Sequence, residues 1–294
     1  MKPKHAEALL AAVIIARSTS LLLSKLSMRS LEPLNLMALR FLLAFFLMVL
    51  LFGKRLRHLR PATVLRGLAL GGTFFAVMAA ELFGLRATDS TTTSFLENTA
   101  VVWVPLFEAA RHRRSPGGST LLSAAVTLTG VALLTLGRGG FHLSGGMGLC
   151  LLASLFYACA ILLTARLSRQ DDPLTLGILQ VGFLGLLALA ASLLFESPHL
   201  PRSGGEWGSI LYLAVVCSCF GFTLQPVAQR CVSAQRASLF CALNPLSASL
   251  LGMVFLHEQP GLGGLAGGLL ILLGIRLQTL DRLPLPHLRR TGAL

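Results

Sequence analysis

Ten apolar runs of about 20 residues, joined by short connections rich in Gly, Pro, Ser or charge, constrain this chain of 294 residues more than any other feature. A bilayer core about 30 Å thick needs about 20 mostly apolar residues per helix. The runs fall at 8–27, 34–52, 64–85, 91–110, 117–136, 146–165, 174–195, 207–226, 237–256 and 261–280. No connection is long enough to hold a soluble domain. Charged residues make up only 13% of the chain, against about a quarter in soluble proteins. The sequence therefore reads as an all-α membrane protein with ten transmembrane helices.

The formal charge of +13 would suggest nucleic acid in a soluble protein, but here Lys and Arg cluster between the apolar runs. They act as topology signals, and no nucleic-acid partner is expected. With the N-terminus inside, sixteen Lys and Arg fall on the inner side; only Lys25, Arg29, Arg86, Arg138 and Arg202 fall outside. That bias makes both termini cytoplasmic. Arg17 interrupts the first run and no small-residue cleavage site follows, so this run reads as an uncleaved span. Short loops and the lack of targeting signals suggest a multi-pass protein of a bacterial inner (cell) membrane.

The chain repeats itself. A shift of 144 pairs Arg86 with Arg230, Ser94 with Ser238, Gly130 with Gly274 and Glu97 with Cys241; a shift of 140 pairs Pro33 with Pro173 and Leu36 with Leu176. Each repeat holds five helices, and an odd number inserts the second copy upside down. Two inverted five-helix repeats follow, residues 1–140 and residues 141–294, the second ending in a short basic tail. The charge pattern agrees: basic Arg111-His-Arg-Arg114 is matched by Phe255-Leu-His-Glu258, which has no Lys or Arg and is expected to face outside. Inverted repeats with a site between them are a common basis of alternating access.

Leu23-Ser-Lys25 closes the first run, and Pro33-Leu-Asn-Leu-Met-Ala-Leu-Arg-Phe-Leu-Leu-Ala44 opens the second. Ala234-Gln-Arg-Ala-Ser-Leu-Phe-Cys-Ala-Leu-Asn-Pro-Leu246 and Phe255-Leu-His-Glu-Gln-Pro260 follow in the other half. Through these segments the chain resembles the drug/metabolite transporter superfamily, of the EamA type with ten helices, over about residues 8–280. The resemblance implies helices one to four and six to nine around a central cavity, with five and ten at the periphery. It also implies transport of small molecules, often export of amino acids or other metabolites. The chain departs from the family pattern at Arg17-Ser18, where Trp-Gly is usual, at Ala100-Val101, and at Glu97, usually a small or apolar position.

Arg17, Arg40, Glu81 and Glu97 are ionisable residues well inside spans. Each costs about 2.5–3.5 kcal/mol at a helix centre on insertion scales, so all four are expected to face the bundle interior and to pair with one another within the first repeat. Arg17 is a candidate for binding an anionic group such as a substrate carboxylate, with Glu97 pairing with it at rest or accepting a proton. The competing reading is a static pair, Arg17–Glu97 or Arg40–Glu97, that ties helices together. Asn98, Tyr157, Gln225 and Asn244 are further cavity candidates; the repeat sets Tyr157 opposite Arg17 and Gln225 opposite Glu81. Pro245 kinks the ninth helix or frees a carbonyl for substrate. Trp103, Phe222 and Phe240 are expected in lipid or core contact more than on a substrate.

Six cysteines in or beside apolar runs read as small buried hydrophobes without disulfide or metal spacing. No metal or cofactor is expected. The glycine face Gly263–Gly268 is expected to pack inside the chain, with a homodimer as the other possibility. Expected partners are a small-molecule substrate, membrane lipid and a coupling proton. The chain carries no nucleotide-binding loop and no zinc-hydrolase or serine-nucleophile motif, so it reads as a secondary transporter exporting a small metabolite and not as an enzyme. The alternatives are a non-transporting scaffold or lipid-binding protein, and an integral-membrane enzyme.

Overall fold

The computed structural model of the protein describes residues 3–57, 59–88, 90–113, 115–136, 145–256 and 262–280. Arg138, the loop with His257 and Glu258, and the basic tail after Leu280 lie outside the described residues. All regular elements among the described residues are helical. Proline opens α2 (Pro33–Phe52), α3 (Pro61–Ala87) and α7 (Pro173–Phe195), where its missing N–H falls among donors that have no helical acceptor. The other unbroken helices are α5 (Gly118–Leu136), α6 (Met147–Leu167) and α10 (Leu262–Leu280).

Four crossings are interrupted, which the apolar runs alone did not reveal. The first consists of α1a (Pro3–Arg17) and α1b (Ser20–Ser27), and the fourth of α4a (Ser90–Asn98) and α4b (Ala100–His112). The eighth passes from α8a (Gly204–Tyr212) through a π-helical stretch (Leu213–Phe222) into α8b (Thr223–Gln229). The ninth divides into α9a (Ala234–Cys241) and α9b (Leu243–Leu256).

The causes are local. Pro245 has no N–H for the Cys241 carbonyl, and its ring crowds that carbonyl, so α9 breaks beside it. Pro226 stands in the same relation to Phe222, where the π-helical stretch ends. At the other two breaks a hydroxyl bonds back to the chain: Ser18 Oγ donates to the Ile15 carbonyl (2.7 Å) and Thr99 Oγ1 to the Leu96 carbonyl (2.6 Å).

Six of the described helical segments are long and apolar enough to cross a membrane; α5, α10 and the broken α4 and α9 complete the ten-helix membrane fold. Leu51, Leu194, Phe195 and Leu262 are among the exposed apolar side chains that present this surface to lipid. Among the packed pairs, α2 lies on α7 and α5 on α10, while α3 lies on α6 and α7 as α8 lies on α1 and α2. Exchanging the two halves carries each of these pairs into itself or into another of the set.

Close approach relies on small residues. A β-carbon at Gly267 would stand 2.6 Å from the Gly130 carbonyl oxygen, so the glycine face of α10 is occupied by α5. At Gly177 the same addition would stand 2.1 Å from the Thr223 carbonyl oxygen, which fixes α7 tightly against α8b.

Ion pairs join connections at the helix ends. Arg86 donates to Glu32 from both Nη1 and Nη2, and Arg236 of α9a bonds Glu7 of α1a. At the start of α7, Asp172 caps the helix by accepting from Thr175 N (3.0 Å) and Thr175 Oγ1 (2.6 Å), and it pairs with Arg55 at 3.3 Å. Partial burial alone would push this carboxyl up; the Thr175 bonds and the Arg55 guanidinium outweigh it and hold the carboxyl below the usual carboxylate range. A lowered folded value means a contribution to stability that is full above the unfolded pKa of about 3.9 and lost as pH falls through the folded value. Asn keeps the cap without the charge. The stability difference between wild type and Asp172→Asn is therefore expected to shrink in thermal melts taken progressively below about pH 4.

Candidate functional site

The helix breaks converge. A small cavity is lined by Ile14, Arg17, Glu97, Asn98, Tyr157, Cys241 and Asn244. Arg17 ends α1a, Glu97 and Asn98 end α4a, Cys241 ends α9a, and Asn244 stands just past the same break. Broken helices leave main-chain groups without their helical partners, and irregular backbone at membrane depth persists only where protein or a cavity surrounds it. The free volume is ≈ 10 Å³, room for about one water and no more. The structure thus holds the site too narrow for a metabolite.

Arg17 reaches across to the second half. Its Nη1 donates to Gln225 Oε1 (3.0 Å) and to Tyr157 Oη (3.4 Å). Its guanidinium carbon lies 4.0 Å from the Phe222 ring centroid and 5.8 Å from that of Tyr157. A cation over an aromatic face gains about 0.5–2 kcal/mol depending on its exposure, which offsets part of the cost of taking the charge from water. Gly221 makes room: a β-carbon there would meet Arg17 Cγ at 2.5 Å. Phe222 is itself held edge-on between Phe41 (5.1 Å) and Phe74 (5.5 Å), so its ring is a rigid platform.

The expected ion pairs are not made. Among the described residues no salt bridge joins Arg17 or Arg40 to Glu97 or Glu81. Arg17 is drawn away by the aromatic platform and the Gln225 amide. Arg40 is fully buried outside the cavity, with Nε bonded to Ser218 Oγ (3.2 Å) and Nη1 to Ser20 Oγ (3.1 Å) and Ser24 Oγ (3.4 Å). It ties α1b and the π-helical stretch to α2. Glu81 is also buried, within electrostatic range of Glu97, Arg17 and Arg40 but not among the lining residues.

Five of the eight sequence candidates thus line the cavity: Arg17, Glu97, Asn98, Tyr157 and Asn244. Gln225 stands behind Arg17. Asn98 spends its amide N–H on the Ser94 carbonyl (2.8 Å), whereas Asn244 Oδ1 is buried without a partner. The sequence reading missed Ile14, Cys241 and the stacking role of Phe222. Cys241 Sγ lies 3.3 Å from Tyr157 Oη and extends the chain of polar contacts from Arg17. The signal for Cys241 was present, since the repeat sets it opposite Glu97. Reading all six cysteines as buried was also incorrect, because Cys159 and Cys231 are exposed. Trp103 stacks on Phe107 (ring centroids 6.1 Å apart) and does not line the cavity.

A ten-helix membrane fold with broken helices meeting at a buried polar cavity is the architecture of a membrane transporter. The sequence profile of the EamA-like transporter family matches residues 5–136 and 144–280. The chain belongs to that family, within the drug/metabolite transporter superfamily. It is 26% identical over 282 residues to an uncharacterized transporter of Archaeoglobus fulgidus, covering 92% of this chain and 96% of the relative. A second uncharacterized transporter from that organism is 27% identical over 263 residues, covering 85% and 90%. A protein of known crystal structure superposes with a TM-score of 0.78 at 20% identity, covering 95% of this chain and 97% of the other. That likeness concerns the fold alone.

Proposed function

We propose that this transporter exports a small zwitterionic metabolite of amino-acid type, with Arg17 receiving its carboxylate and Glu97 its ammonium group or, in its absence, a proton. One observation carries the reading. A guanidinium and a carboxylate share one buried cavity without an ion pair between them. Two opposite charges held apart and facing the same space complement a ligand that carries both signs. The unpartnered Asn244 Oδ1 offers a further acceptor for an ammonium N–H.

Because the cavity has room for only about one water, the ligand must enter by rearrangement. We read residues 1–140 and 141–294 as the two halves that rock about the site, with the breaks in α1, α4, α8 and α9 as the compliant points. Arg17 ties the halves through Tyr157 and Gln225, so a carboxylate that competes for its guanidinium would loosen that tie. The basic inner connections support cytoplasmic termini and an inward mouth suited to collecting an anionic group before export. Prokaryotic relatives support a cell-membrane location, and the occupied glycine face of α10 supports a monomer as the transporting unit. Charge exchange at Glu97 supplies proton coupling, and no catalytic step is assigned to the chain.

Glu97→Gln tests this. The variant is expected to accumulate in membranes at wild-type level with an unfolding midpoint within a few degrees, and to lose proton-driven transport in vesicles. Unchanged transport would leave Glu97 as a structural residue and remove it from the site.

A further inference from the structure

Where the connections α2–α3 and α6–α7 meet the end of α8b, the surface opens into a second pocket of ≈ 570 Å³, far larger than the central one. Its lining includes Arg55, Arg60, Arg169 and Arg230, together with Asp171 and Asp172. Both carboxylates are already engaged. Asp172 caps α7 and holds Arg55, while Asp171 accepts from Thr63 Oγ1 (2.9 Å) and pairs with Arg66. Among the described residues, Arg60, Arg169 and Arg230 have no ion-pair partner.

Three guanidinium groups from three separate chain segments therefore face one cavity with no anion committed to them. The repeat shows how the arrangement arises. Arg86 and Glu32, the counterparts of Arg230 and Asp172, close on each other at the opposite end of the bundle. Here Arg55 has taken the carboxylate and Arg230 is left over.

We propose that this cavity binds a phosphate-class anion, held by Arg60, Arg169 and Arg230. The planar guanidinium fork matches phosphate oxygens two at a time, and three forks lining one pocket from three chain segments suit a tetrahedral anion better than a flat carboxylate. The chemistry is shared by two sources, the headgroup of an anionic lipid and a free phosphate or phosphomonoester. The volume admits either, and the cavity lies at the basic face, where an anionic leaflet would meet it. This site is independent of the ligand in the central cavity.

The test is the apparent thermal stability of the purified full chain, which rises with any ligand bound only by the folded state. One series titrates inorganic phosphate against chloride at constant ionic strength, and the other replaces phosphatidylcholine with phosphatidylglycerol in nanodiscs. Each series compares wild type with Arg169→Gln, Arg230→Gln, their double variant, and Arg111→Gln as a basic-face control outside the cavity. Stabilisation is expected in at least one series, with affinity falling about five-fold per cavity arginine removed and unchanged in Arg111→Gln. A response to phosphatidylglycerol alone identifies a lipid headgroup, and a response to phosphate identifies a soluble ligand. No stabilisation in either series, or an equal loss in Arg111→Gln, overturns the proposal. Among the described residues neither Arg169 nor Arg230 has an ion-pair partner to lose, so removing either is not expected to unfold the chain.

Discussion

Replacing Arg17 by Gln is expected to lower transport at least about tenfold, among the large effects expected at single positions in the site. A charged hydrogen bond contributes about 1.5–3 kcal/mol, which is a factor of about 10 to 150 in an equilibrium. Glutamine retains a donor for Tyr157 but has neither the charge nor the plane that stacks on Phe222. Arg17→Lys separates those two losses. It keeps the charge and gives up the fork and most of the stacking, so it is expected to retain partial transport. Flux into sealed vesicles, normalised to protein amount, is the measurement. A pair of variants with wild-type flux would show that Arg17 only holds the halves together. Equal, complete loss in both would place the stacking geometry, and not the charge, at the centre of the site.

The second large effect concerns packing. Gly177→Val would drive a side chain into the Thr223 carbonyl, and a main-chain group cannot rotate away as a flexible side chain can. Relief requires α7 and α8b to separate. Overpacking usually costs about 1–3 kcal/mol, and a clash with backbone belongs at or beyond the top of that range. The variant is expected to yield little monodisperse protein, and what remains should melt well below wild type. Because α8b carries Gln225, any surviving protein should also lose the bond that positions Arg17. Thermal melts and size-exclusion profiles decide the matter, and a wild-type melt would mean that the helices are less tightly opposed than the structure has them.

Much of the fold was legible in the sequence because bilayer physics is demanding. Spans must be long and apolar, so ten crossings followed from composition and the spacing of apolar runs alone. The expectation of a repeat rests on a few pairs such as Arg86 with Arg230 and Pro33 with Pro173. The breaks were less legible, because they depend on single main-chain bonds. Prolines mark two of the breaks, Pro226 and Pro245, whereas Ser18 and Thr99 are hydroxyls of a kind that many unbroken membrane helices also carry.

The partners of the buried charges were also hidden. Charge balance suggested that Arg17 would meet Glu97, yet an aromatic face and an amide from the other half hold it. Sequence counts charges and does not see the direction in which a long side chain lies. Gly221 was the residue that allowed that direction, and nothing in its sequence context marks it out. Cys241 was legible by symmetry and overlooked by chemistry, since a thiol where the other half has a carboxylate does not resemble a site.

The most direct measurement of the central claim is the thermal stability of wild type and Arg17→Gln against a matched ligand panel. The panel sets free amino acids beside their methyl esters and the corresponding decarboxylated amines. The account predicts that one or more free amino acids raise the wild-type melting temperature, that their esters and amines do not, and that Arg17→Gln loses the response while its unliganded midpoint stays close to wild type. Stabilisation by the ester or amine as strong as by the acid, or a response that survives in Arg17→Gln, would contradict it.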